Sequence, residues 1–158
     1  MNNHVGLQVI ISGGHESDEI RHNQQLAGAV DLSGCLSLAE LSSLISEARA
    51  YVGPDTATTH MAASLGTPTV ALFGPSNPVK WGPWPAGDAA HAPVFDQSPW
   101  CMRGSQHVGN VILLQGPGDC VPCRLEGCDR HVGSKSKCLD MLDPNSVLQA
   151  LRNLNVLA

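Results

Sequence analysis

Short apolar runs alternate along the chain with stretches in which apolar side chains return every three or four positions. Val5 to Ser12 and Thr69 to Phe73 are runs of the first kind, and Ala29 to Leu32 is a shorter one. A run without polar alternation suits a strand covered on both faces, as in a parallel sheet. Between these runs, Asp18 to Ala27 is predicted to be a helix with Ser17 as its cap. Ser37-Leu38-Ala39-Glu40 has the form of a capping box, and Leu38, Leu41, Leu44, Ile45 and Ala48 then fall on one helical face. Asp143-Pro144 starts a last helix with a cap and a proline at its first position, with Val147, Leu148, Leu151 and Leu154 on the core side. Strands alternating with helices give an α/β fold built on a parallel sheet.

The segment from Tyr51 to Pro75 carries the most chemistry. Ala50 to Val52 ends a strand, Gly53-Pro54 breaks it, and Asp55 is placed to cap a helix that stops at Gly66-Thr67-Pro68 before the strand Thr69 to Phe73. A polar helix start bearing Asp55, Thr56 and His60 therefore sits at the carboxyl end of a buried strand, where open α/β sheets bind ligands. The first amides of a helix lack internal acceptors and carry partial positive charge, which favours a phosphate or diphosphate. Taken alone, these residues are accounted for equally well by a capped helix with a surface histidine.

Composition narrows the partners. With 158 residues the chain can bury one core, so residues 1–158 are expected to form a single domain. The formal net charge of −5 argues against a nucleic-acid-binding surface. The apolar runs, Val70 to Phe73 and Val111 to Leu114 among them, are too short to span a bilayer, and Met1-Asn2-Asn3-His4 does not open a signal peptide. A cytoplasmic domain with at most peripheral membrane contact is expected.

Residues 75–105 are dense in Pro, Gly and Trp and are expected to form a long ordered loop, with Lys80 and Arg103 as its nearest bases. Trp81 and Trp84 are read as ligand contacts or as packing against the domain's own surface. Residues 120–138 form a second, cysteine-rich loop. Cys120, Cys123, Cys128 and Cys138 are four soft ligands, enough for a structural zinc or iron, although the later spacings depart from paired zinc knuckles. Reduced thiols or a disulfide are the alternatives. Cys35 and Cys101 are read as buried small hydrophobes.

The string Gly53 to Ala63, followed by Leu65-Gly66-Thr67-Pro68, Ala71 to Pro75 and Trp81-Gly82-Pro83, resembles the nucleotide-sugar-binding half of glycosyltransferase family 9. This is the family of ADP-heptose:lipopolysaccharide heptosyltransferases. Gln8 to Gly14 with Glu16, Leu36 to Leu41, Cys120-Val121-Pro122-Cys123, Cys128 and Cys138-Leu139 resemble further family segments in the same order. The resemblance implies a three-layer Rossmann-like sheet, the C-terminal half of a GT-B glycosyltransferase fold, lacking its first strand and helix. It implies ADP-heptose as donor, bound through Asp55, Thr56, Ala57 and His60 at the diphosphate, Leu36 at the adenine and Asp18 or Glu16 at the ribose, with no cofactor required for transfer. In the family the residue after Asp-Thr is usually Gly, and here it is Ala57, whose methyl crowds the donor.

The resemblance places the lipid A core acceptor and the catalytic base in the other half, so no catalytic residue is assigned here. The chain alone is expected to hold a donor without transferring the sugar. An exposed edge left by the absent strand would favour a homodimer. A non-catalytic α/β binding or assembly module, and an autotransporter or O-antigen glycosyltransferase, are the alternative functions.

Overall fold

The computed structural model describes residues 8–13, 28–87, 98–125, 127–131 and 133–157. The expected helix over Asp18 to Ala27 lies outside them. Contacts group the chain into two units, residues 1–41 and 42–158.

In the first unit, β1 (Ile10–Ile11) and β2 (Val30–Asp31) pair in parallel. Backbone bonds continue the ladder from Val30 N to Val9 O and from Gly34 N to Gly13 O, both at 2.8 Å. Helix α1 (Leu38–Glu47) begins in this unit. Its capping box forms as expected: the Ser37 amide donates to Glu40 Oε2 at 2.8 Å, and the Glu40 amide donates to Ser37 Oγ at 3.3 Å.

The second unit contains a four-stranded sheet of order β3-β4-β6-β5, with β3 (Tyr51–Pro54), β4 (Thr69–Phe73), β5 (Gln106–Val108) and β6 (Val111–Gln115). The three strands β3, β4 and β6 are parallel, and β5 runs antiparallel to β6 across a tight turn at Gly109-Asn110. The run Val111 to Leu114 is thus a central strand, and the edge strand β5 precedes it. Both strands are additions to the elements expected from the sequence.

Alternation along β4 and β6 sorts their side chains into two cores. Ala71, Phe73, Val111 and Leu113 face one side with Ala63 of α2 (Ala57–Ser64) and Trp100. Val70, Ile112 and Leu114 face the other, with Ala150, Val147, Leu151 and Leu154 of the region around α5 (Pro144–Asn153). Helix, sheet and helix thus make the three layers of the α/β class, and the apolar runs lack polar alternation because both faces are covered. Asp143 caps α5, its Oδ1 accepting the Asn145 amide at 3.0 Å. Leu148, expected on the core side, is 43% exposed, and Ala150 takes the buried position.

Asn110 ties the amino edge of this sheet together. Its carbonyl accepts the Thr69 amide at 2.8 Å, and its Nδ2 donates to the carbonyls of Ala63 and Thr67 at 3.0 and 2.9 Å. Its Oδ1 accepts the Ala86 amide at 2.9 Å. One side chain thereby joins the end of α2, the start of β4, the hairpin and the returning loop.

Part of the Pro-rich loop is helical: α3 (Pro78–Trp81) is capped by Asn77, whose side chain accepts the Val79 amide at 3.0 Å. Trp100 is buried, and its Nε1 donates to the Pro83 carbonyl at 3.1 Å. A Cβ at Gly82 would overlap the Trp100 ring. Packing on its own domain therefore accounts for this tryptophan. Trp81 and Trp84 are exposed, with Lys80 Nζ 4.8 Å from the Trp81 ring centroid. Among the described residues no helix is long and apolar enough to cross a membrane.

Candidate functional site

Because β3, β4 and β6 run parallel, their carboxyl ends at Pro54, Phe73 and Gln115 share one edge of the sheet. Two sequence features singled out for their chemistry meet this edge. The first is the start of α2, directly after β3. The second is the cysteine-rich segment: the Arg124 amide donates to the Pro75 carbonyl at 2.8 Å, and α4 (Lys137–Asp140) packs on the glycines that follow β4 and β6. An added Cβ at Gly74 would stand 2.7 Å from Leu139 Cγ and 2.9 Å from Cys138 Sγ. One at Gly116 would overlap the Cys138 carbonyl. Glycine lets this segment seat on the strand ends.

At the start of α2 the expected cap is displaced by one residue. Thr56 is the N-cap, with φ −142° and ψ 165°, and its side chain makes no capping hydrogen bond. Asp55 instead faces His60, with Oδ1 3.7 Å from Nε2. Asp and Thr are both good caps, with Asp the better by local preference. In the fold Thr59 Oγ1 donates to the Pro54 carbonyl at 2.5 Å, and the first turn begins after Thr56. The Thr59 and His60 amides reach Thr56 O at 3.0 and 3.4 Å. Those of Ala57 and Thr58 precede any helical acceptor, and the Thr56 side chain does not cap them.

Thr56 and Ala57 are exposed, and Asp55 and His60 are half-buried. The structure thus brings these four predicted residues together around one helix start. Sequence reasoning passed over Tyr51, Thr58 and Thr59, whose hydroxyls cluster there: Tyr51 Oη lies 2.7 Å from Thr58 Oγ1, which is 3.0 Å from Thr56 Oγ1. The signal was the density of threonines after Asp55.

Leu36 is half-buried just ahead of α1, in the first unit. Asp18 and Glu16 lie outside the described residues. Cys120 and Cys128 are exposed, Cys123 is half-buried, Cys138 is buried, and all four are free thiols. Burial raises the Cys138 thiol above its ordinary 9.0, with charge on Cys123 and Cys128 adding to the effect. Among the described residues no three His, Cys, Asp or Glu groups converge to hold a metal ion. Cys35 and Cys101 are exposed rather than buried, because each sits in a loop outside both cores. A groove of about 600 Å³ lies on the α5 side of the sheet, between His107, Ile112, Gln149 and Asn153, away from the face that α2 covers.

A parallel α/β sheet with a polar helix start at its carboxyl edge defines the class of a Rossmann-like ligand-binding domain. Residues 1–99 match glycosyltransferase family 9 (heptosyltransferase), and the chain belongs to that family. It is 32% identical over 105 residues to lipopolysaccharide heptosyltransferase 3 of Escherichia coli, covering 58% of this chain and 31% of that enzyme. Over 43 residues it is 51% identical to lipopolysaccharide heptosyltransferase 1 of Pseudomonas aeruginosa, covering 27% of this chain and 12% of that enzyme.

Among solved structures it matches ADP-heptose lps heptosyltransferase II of E. coli with a TM-score of 0.62 at 22% identity, covering 94% of this chain and 36% of the other. A family 9 glycosyltransferase from Veillonella parvula matches with a TM-score of 0.61 at 20% identity, covering 94% and 37%. These likenesses show the GT-B-like glycosyltransferase fold. The chain spans about a third of the length of E. coli heptosyltransferase 3 and of both solved structures.

Proposed function

We propose that this chain is the donor-binding part of a heptosyltransferase, holding the diphosphate of ADP-heptose at the start of α2. The observation that carries this reading is the uncapped first turn beside Asp55 and His60, at the carboxyl edge of the sheet in a chain of this family. The amides of Ala57 and Thr58 and the Thr56 hydroxyl donate to phosphate oxygens, and His60, oriented by Asp55, donates an N–H. The family resemblance assigns Leu36 to the adenine and Asp18 or Glu16 to the ribose.

Transfer of heptose leaves ADP with an added negative charge. Donors fixed at the helix start stabilise that charge as it develops, which is how this part of the enzyme would lower the barrier. The hydroxyl of the lipopolysaccharide inner core and the base that activates it are supplied by a further part of a full-length enzyme. The site works in the cytoplasm, touching the membrane at most peripherally.

Calorimetric titration of the chain with ADP and ADP-heptose tests this reading. Saturable binding of both is expected. A folded chain that takes up neither at millimolar ligand would leave a non-catalytic α/β module in its place.

A further inference from the structure

Tyr51 belongs to β3, yet its hydroxyl reaches the first turn of α2. The ring lies back over Gly53, where an added Cβ would stand 2.7 Å from Tyr51 Cε1. From there a chain of hydroxyls runs from Tyr51 Oη to Thr58 Oγ1 at 2.7 Å and on to Thr56 Oγ1 at 3.0 Å. Thr59 Oγ1 is 3.5 Å from the Tyr51 hydroxyl and 3.4 Å from Thr56 Oγ1.

Each hydroxyl has one proton to donate. That of Thr59 goes to the Pro54 carbonyl, which only accepts. The protons on Tyr51, Thr58 and Thr56 then have two consistent orders along the chain. In the inward order Thr56 donates to Thr58 and Thr58 to Tyr51, and the Tyr51 proton then meets no acceptor in this cluster, since Thr59 Oγ1 faces the phenol as a donor at 3.5 Å. In the outward order Tyr51 donates to Thr58 and Thr58 to Thr56, which frees the Thr56 proton to point off the end of the helix. The outward order gives the Tyr51 proton an acceptor, Thr58 Oγ1 at 2.7 Å, and leaves unused only the Tyr51–Thr59 pair, which at 3.5 Å is at the limit of hydrogen bonding. Reversal therefore costs little.

A phosphate oxygen only accepts, so it selects the outward order, and each donor behind Thr56 polarises the next. We propose that Tyr51 is a positioning residue for the donor diphosphate: acting through Thr58, it turns the Thr56 hydroxyl into a donor aimed at the phosphate, without touching the ligand itself. The inference rests on the donor-binding reading above and adds a specificity determinant to it. The phenol favours a ligand group that only accepts over one that needs to donate.

The test compares ADP, inorganic diphosphate and adenosine as ligands of the full chain, Tyr51→Phe and Thr58→Val. Phe keeps the ring over Gly53 and removes only the hydroxyl. In Tyr51→Phe the dissociation constants for ADP and diphosphate are expected to rise about three- to tenfold, the worth of one hydrogen bond, while that for adenosine stays at the wild-type value. Thr58→Val, which cuts the same chain one link later, is expected to have at least the same effect, and it carries the test if Tyr51→Phe does not fold.

Unchanged ADP affinity in a folded variant would overturn the role of Tyr51, and so would an equal loss for ADP and adenosine, the mark of a merely structural residue. Wild-type protein that binds neither ADP nor diphosphate would instead defeat the donor-binding reading, and this inference with it.

Discussion

Thr59 Oγ1 donates its proton to the carbonyl oxygen of Pro54, joining the first turn of α2 to the last residue of β3. Thr59 is fully buried, so replacing its hydroxyl removes the bond and sets a methyl against the Pro54 carbonyl. Thr59→Val, which keeps the shape, is expected to destabilise the fold by about 1–3 kcal/mol, and Thr59→Ser by less. Urea denaturation of the two variants measures the difference.

His60 and Asp55 are expected to act unequally on ligand binding. His60→Ala removes a donor at the helix start and is expected to weaken ADP about tenfold, in line with a charge-assisted bond of about 1.5 kcal/mol. Asp55→Asn keeps an acceptor 3.7 Å from the ring and is expected to weaken it less. Calorimetry with ADP reads both, and equal losses would show that Asp55 does more than orient the imidazole.

The seat of α4 on the strand ends predicts a graded response to methyl groups. Gly74→Ala meets the tip of Leu139 and the Cys138 sulfur, which have some room to move, and is expected to cost about 1–3 kcal/mol. Gly116→Ala meets the Cys138 backbone, which has less, and is expected to cost more. Thermal or urea unfolding ranks the pair, and the reverse order would place α4 elsewhere.

The capping box predicts an acid limb in stability. Bonds from the Ser37 hydroxyl and amide hold the Glu40 carboxyl below its ordinary 4.5. Its contribution is complete above 4.5 and is lost as pH falls through the lowered folded value, because the unfolded chain takes up the proton first. Glu40→Gln is expected to remove this component from melting temperatures measured between pH 3 and 7.

The β3–α2–β4 unit was legible in the sequence because its breaks are chemical: Gly53-Pro54 and Gly66-Thr67-Pro68 punctuate it, and Thr69 to Phe73 has no polar face. The β5–β6 hairpin is signalled in the sequence only by the turn pair Gly109-Asn110 before the short apolar run Val111 to Leu114, because β5 (Gln106–Val108) is too short to show a pattern of its own. The cap at Thr56 was not legible, since Asp55 is the better cap by local preference and the helix nevertheless starts one residue later. Tyr51 was hidden for a related reason: only the folded strand brings its hydroxyl to a helix that starts several residues later. Leu148 lies on the boundary of the helical face and reads as core, whereas Ala150 is the residue of α5 buried with Val70 and Ile112.

Binding of a nucleotide diphosphate is expected at the start of α2, not in the groove beside α5. Amide NMR of the labelled chain titrated with ADP tests it most directly. The largest shifts are expected on Thr56, Ala57, Thr58 and His60, and at a given ADP concentration they are expected to be smaller in His60→Ala. Shifts confined to His107, Gln149 and Asn153 in the groove, or none at millimolar ADP, would contradict it.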